Sequence, residues 1–183
     1  MIRNTLIAAA FLLFGLLYSC SHNNKKFISQ TDSLLRVVER LDTELKQLNI
    51  DSLKSISDTI AFDVRMFETL IGDDTLELAA ATTLDNYNRI RRSIGKLTAA
   101  AVGQKKDLDV TRAQLMDMKT DLENEMMNEL TFNEFFPSES AAVARLAEAN
   151  ISMLSWYQNS LSSFVKLRPV FMQRLDERRP KSP

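Results

Sequence analysis

The sequence predicts an all-α protein: an elongated antiparallel helical bundle, or coiled coil, of three long helices. Three observations predict it. Four glycines and four prolines among 183 residues are too few turn-formers for a many-stranded sheet, which needs a turn roughly every eight to twelve residues. Apolar residues recur at steps of three and four along three long stretches, the spacing that puts them on one helix face. Only two clusters of turn-forming residues stand between those stretches, at 72–74 and 130–140.

Before the first helix comes a segment of different character. Met1-Ile2-Arg3-Asn4 is short and positively charged, and Leu6 to Leu17 is an uncharged apolar run. A spanning helix needs about 20 such residues, so this shorter run suits the hydrophobic region of a secretory signal. The run ends in Leu17-Tyr18-Ser19-Cys20. An aliphatic residue at −3, a small one at −1 and cysteine at +1 resemble the lipobox of bacterial lipoproteins; Tyr18 is bulkier than that family's usual residue at −2. The resemblance implies cleavage between Ser19 and Cys20 by signal peptidase II, removing 1–19. It also implies a diacylglycerol on the Cys20 sulfur and an acyl chain, palmitate or a similar one, on its amino group. Two or three chains anchor a protein stably where one binds only marginally. An ordinary cleaved signal and an uncleaved N-terminal anchor are the alternatives. Cys20 is the only cysteine, so no disulfide is expected.

Residues 20–27 are expected to form a polar, lipidated tether. In the lipoprotein sorting rule, Ser21 after the cysteine favours the outer membrane over the inner one. No acidic cluster follows, so the expected location is the cell envelope, facing the periplasm.

The bundle domain is expected over 28–178. In its first helix Leu34, Val38, Leu41, Leu45 and Leu48 alternate steps of four and three. The phase slips at Asn49–Ser52, where a kink or short break fits, and resumes as Leu53, Ile56, Ile60, Val64, Phe67 and Ile71. Gly72-Asp73-Asp74 ends this helix, and Asp74 with Glu77 resembles a capping box for the next. In the second, Tyr87, Ile94, Ala101, Leu108, Leu115 and Leu122 stand seven apart, which predicts one helix over about 75–131. A break at Gly103 is the alternative and would give four helices. Gly95, Ala99 and Gly103 share a face and are expected to pack closely in the middle of the bundle. Phe136-Pro137 places the second turn in 130–140, because the residue before proline avoids helical conformation. The third helix carries Val143, Asn150, Leu154, Tyr157, Leu161, Phe164, Phe171 and Leu175, with a kink expected at Pro169. Residues 179–183 read as a disordered tail. In this arrangement 28–71 packs on the first part of the middle helix, and 138–177 on its last part.

Hydrophobic residues at 45% and charged residues at 26% argue against wholesale disorder. A net charge of −1 argues against nucleic acid as a partner, since that surface must displace counterions with basic groups. His22, the only histidine, lies on the tether, away from any preorganised site. No metal-ligand, phosphate-loop or triad pattern occurs, and the carboxylates of Asp107, Asp109, Asp121 and Glu123 flank core leucines. No enzyme activity, metal or cofactor is therefore expected, apart from the covalent lipid on Cys20.

Three features read as binding candidates. Phe132, Phe135 and Phe136 form an aromatic tip that either docks a partner or closes the bundle end. Trp156 stands beside the core residue Tyr157. Gln104, Thr111 and Asn150 interrupt core positions, as register-setting polar residues do. The expected function is that of a non-enzymatic envelope lipoprotein, a structural, adaptor or regulatory partner of another envelope protein, with self-association through its helices also open. The alternative is a module holding an apolar or cell-wall-derived ligand between helices, for which the methionines Met116, Met118, Met126 and Met127 offer an adaptable surface.

Overall fold

The computed structural model describes residues 2–71 and 77–178, with side chains from Asn24 onward. The lipobox residues Leu17, Tyr18, Ser19 and Cys20 therefore lie outside the described side chains. The Gly72-Asp73-Asp74 turn and the 179–183 tail lie outside the described residues. Among those described the chain is all-helical, with no strand: α1 (Ile2–Leu45), α2 (Ile50–Ile71), α3 (Leu78–Glu123) and α4 (Glu129–Arg178).

The first stretch divides at residues 46–49, close to the phase slip where a short break fits, so the described chain has four helices rather than three; α3 runs through Gly103 without interruption, as its single register predicts. Asn49 explains the division, because its side-chain oxygen accepts the Ser52 N–H at 2.9 Å and so caps the start of α2. Gly103 interrupts nothing, since its neighbours Ala101, Gln104 and Leu108 keep one buried register.

The second turn lies at 124–128 rather than at 130–140. The Met126 N–H donates to the Asp121 carbonyl at 2.8 Å and the Glu125 N–H to that of Leu122 at 3.3 Å. With Glu125 at φ 57°, this pair of bonds is a Schellman ending. Asn128 then caps α4, its side-chain oxygen accepting the Thr131 N–H at 3.0 Å. These caps set the boundary upstream of Pro137, and α4 continues across both Pro137 and Pro169. Proline inside a helix costs about 3 kcal/mol. Burial of Phe132 and its stacking on Phe136 at 4.7 Å give a return of the same order.

The chain forms two compact units, Met1–Thr43 with Lys106–Ala147 and Glu44–Lys105 with Glu148–Pro183. Segments of α3 and α4 enter both; the first unit adds most of α1, and the second adds α2 and the last two residues of α1. This replaces the expected pairing of the first helix with the start of the middle one: α1 packs on the end of α3.

In the first unit the core is Val38, Leu41, Leu108, Leu115, Met118, Leu122, Val143 and Leu146. Phe27 is 4% exposed and stacks on Phe132 with ring centroids 4.4 Å apart. Asn24 donates its side-chain amide at 3.3 Å to the Leu122 carbonyl, a second bond to the oxygen that also accepts the Glu125 N–H. Asn24 and Phe27, at the end of the expected tether, thus touch the rest of this unit. Lys119 pairs with Asp32 at 2.8 Å and Arg112 with Asp42 at 3.5 Å.

In the second unit Leu53, Ile60, Val64, Phe67 and Ile71 of α2 meet Tyr87, Ile90, Ile94 and Leu97 of α3 and Met153, Phe171 and Leu175 of α4. Phe171 stacks on Tyr87 at 4.4 Å and lies 5.2 Å from Phe67. Gln104 donates to the Asn150 side-chain oxygen at 3.2 Å, so two of the three polar interruptions meet. The small-residue face is a further correction. Gly95, Ala99 and Gly103 are exposed, and a Cβ added at either glycine would meet nothing within 4 Å.

Candidate functional site

The second unit carries a groove between α3 and α4. Asn86, Arg89, Ile90 and Ser93 line it from α3; Trp156, Asn159, Ser160, Ser163 and Leu167 line it from α4, around a volume of about 270 Å³. Helical spacing explains the two rows, since steps of three and four put residues on one face. Small serines at the helix contact leave the recess that larger side chains would fill.

Trp156 is fixed in this groove. Its indole N–H donates to the Ser93 hydroxyl at 2.6 Å, and Ser93 lies 3.5 Å from the Ser160 hydroxyl. An indole with its N–H satisfied and its ring half-buried can offer apolar contact without leaving a polar atom stranded. Asn86, Asn159 and Ser163 add amide and hydroxyl groups able to give and accept hydrogen bonds. At one rim Asp85 accepts bonds from Arg89 at 3.0 Å and Arg92 at 3.1 Å. These guanidiniums, Arg92 foremost, hold the Asp85 carboxyl below its usual range.

The same unit holds a polar trio centred on a buried carboxylate. Asp63 is 3% exposed; one of its oxygens accepts the Tyr87 hydroxyl at 2.8 Å and Arg168 Nε at 3.2 Å. Burial, then the Asp63 bond, pushes the Tyr87 hydroxyl well above the ordinary tyrosine range. The Asp63 bond likewise raises Arg168, whose guanidinium also sits 5.9 Å over the Phe164 ring. The trio joins α2, α3 and α4 and is built for fixing geometry. A buried charge needs partners of this kind.

The aromatic tip separates into parts. Phe132 is buried and Phe136 partly so, in a cluster with Phe27, Met118, Leu122 and Met127, while Phe135 is 49% exposed. Trp156 belongs to the groove of the second unit, apart from that cluster. Among the described residues no group of three or more His, Cys, Asp and Glu side chains is placed to hold a metal ion, and no helix is long and apolar enough to cross a membrane.

Several residues escaped the sequence reading. Phe27 was legible, since 27, 31, 34, 38 and 41 continue the same four-three steps backward. Asp63 stands among apolar α2 positions, and its charge there was the only sign. Nothing in the sequence pairs it with Arg168, 105 positions away. Ser93, Ser160 and Ser163 carry no pattern that marks a groove.

Comparison of the chain with protein-family models, with curated proteins and with solved structures finds no match.

Proposed function

We propose that this chain is a lipid-anchored protein of the cell envelope, facing the periplasm and in the outer membrane rather than the inner. Its helical bundle acts without catalysis, as a structural, adaptor or regulatory partner of another envelope protein. The charge, apolar length and cysteine position of residues 1–20 support the anchor. We read each unit as antiparallel. From Asp32 to Asp42 the partner positions fall from Lys119 to Arg112; from Tyr87 to Gln104 they fall from Phe171 to Asn150.

The observation that carries the binding role is the α3–α4 groove beside Trp156. At about 270 Å³ it has room for one or two side chains of a partner, at the lower edge of small-molecule sites. A fixed aromatic next to open amides is the kind of anchor point that dominates interfaces. Two measurements test the reading. Palmitate labelling is expected in the wild type and lost in Cys20→Ala; equal label in both would refute the anchor. A photo-crosslinking residue placed at Asn159 in intact cells is expected to capture one envelope protein, with Trp156→Ala removing the adduct. An adduct unchanged by Trp156→Ala would refute the groove's role.

The same groove favours one second reading. An aromatic flanked by Asn86, Asn159 and Ser163 also suits a sugar ring, so a cell-wall-derived ligand held between α3 and α4 is the alternative. Trp156 is the only tryptophan, and its fluorescence reports directly. Saturable change on adding wall fragments supports this reading, and an unaltered spectrum excludes it.

A further inference from the structure

We infer that the α3–α4 turn is a second membrane contact, in which Met126 and Leu130 enter the headgroup boundary of the bilayer that holds the anchor. This inference rests on the lipoprotein reading of Cys20. Two positions four apart, one in the turn and one at the start of α4, expose large apolar side chains, Met126 at 70% and Leu130 at 81%. Met126 lies between the Schellman ending of α3 and the Asn128 cap, and Leu130 stands in the first turn of α4 just beyond that cap. In a Schellman ending the residue at the Met126 position commonly packs back on the third-last helical residue. Here that residue is Asp121, and Met126 stays exposed.

Chain length decides what covers them. Asn24 bonds the Leu122 carbonyl and Phe27 stacks on Phe132, so the mature N-terminus arrives at this end of the first unit. Only Ser21, His22 and Asn23 separate Cys20 from Asn24. Four steps span about 6 Å as helix and at most about 14 Å fully extended. The lipid-bearing sulfur therefore lies within that reach of the last turn of α3, and the bilayer surface comes with it. Glu123, Glu125 and Glu129 border the same turn. Their carboxylates disfavour anionic headgroups, so the contact is apolar and suits zwitterionic lipid.

The test uses the full lipidated chain in phosphatidylethanolamine–phosphatidylcholine vesicles. With Cys20 alkylated, Met126→Cys or Leu130→Cys carries the only free thiol, to which an environment-sensitive fluorophore is attached. Val110→Cys is the control: 49% exposed in the same unit, about 20 Å further back along α3. The expected result is a blue-shifted probe at 126 and 130, quenched by doxyl lipid and shielded from iodide, with the reverse at 110. Iodide access at 126 and 130 equal to that at 110, in chains whose Cys20 is lipidated by mass spectrometry, overturns the inference and leaves the anchor standing. Shielding from both quenchers means that protein covers the turn, and overturns it too. An unmodified Cys20 overturns the anchor and the inference together.

Discussion

The Tyr87 hydroxyl donates to the Asp63 carboxylate at 2.8 Å with both side chains buried, and the bond joins α2 to α3 in the middle of the second unit. Removing it strands part of a buried charge. Tyr87→Phe is expected to destabilise by about 1–3 kcal/mol, the range for leaving a buried polar group short of a partner. Asp63→Asn should cost no more, because Arg168, 44% exposed at its side chain, turns to water when released. Urea unfolding of the two variants checks the order; a neutral Tyr87→Phe would show that the Tyr87–Asp63 bond contributes nothing.

The same bond sets an alkaline limit. The folded state holds the Tyr87 proton above the ordinary tyrosine range, whereas the unfolded chain releases it near pH 10. The contribution is therefore whole below about pH 10 and declines as pH rises above it. The stability gap between wild type and Tyr87→Phe should be constant from pH 6 to 9 and shrink above about pH 10. A gap that widened there would contradict the assignment.

Glu125 occupies a left-handed conformation, φ 57°, that a side chain with Cβ adopts at a penalty of about 1–2 kcal/mol. Glycine has no such penalty. Glu125→Gly is expected to stabilise the protein by up to about 1 kcal/mol, measured as a rise in the urea midpoint at unchanged m-value.

Gly95 and Gly103 give the converse case. Each lies within α3 with open space where a Cβ would go. Gly95→Ala and Gly103→Ala should each stabilise by about 0.5–1 kcal/mol, additively. Close packing at that face, as the small residues alone suggest, would make both substitutions destabilising, so the sign of the change separates the two arrangements.

Phe27 ties α1 to the start of α4. Phe27→Ala should cost about 3–5 kcal/mol, and a double-mutant cycle with Phe132→Ala should return about 0.5–1.5 kcal/mol for the stacked pair. A coupling near zero would mean that the rings contribute only area.

Helical class and the buried register of α3 could be read along the chain, because 3.6-residue periodicity is a local property and Tyr87 through Leu122 keep it over five heptads. Where helices end was less legible. Asn49 and Asn128 cap because a side chain reaches three residues on, and Pro137 stays helical because Phe136 stacks on Phe132 and Phe132 on Phe27, far away in sequence. Packing also chose among α4 positions. Leu154 and Leu161 fit a heptad on paper, yet Met153 and Ser160 are the buried ones, since a helix offers several seams and its neighbours select which is covered. The groove, the Asp63 trio and the open face at Gly95 and Gly103 arise the same way, from residues tens of positions apart meeting in space. A one-dimensional pattern holds the periodicity of a helix but not the identity of what stands against it.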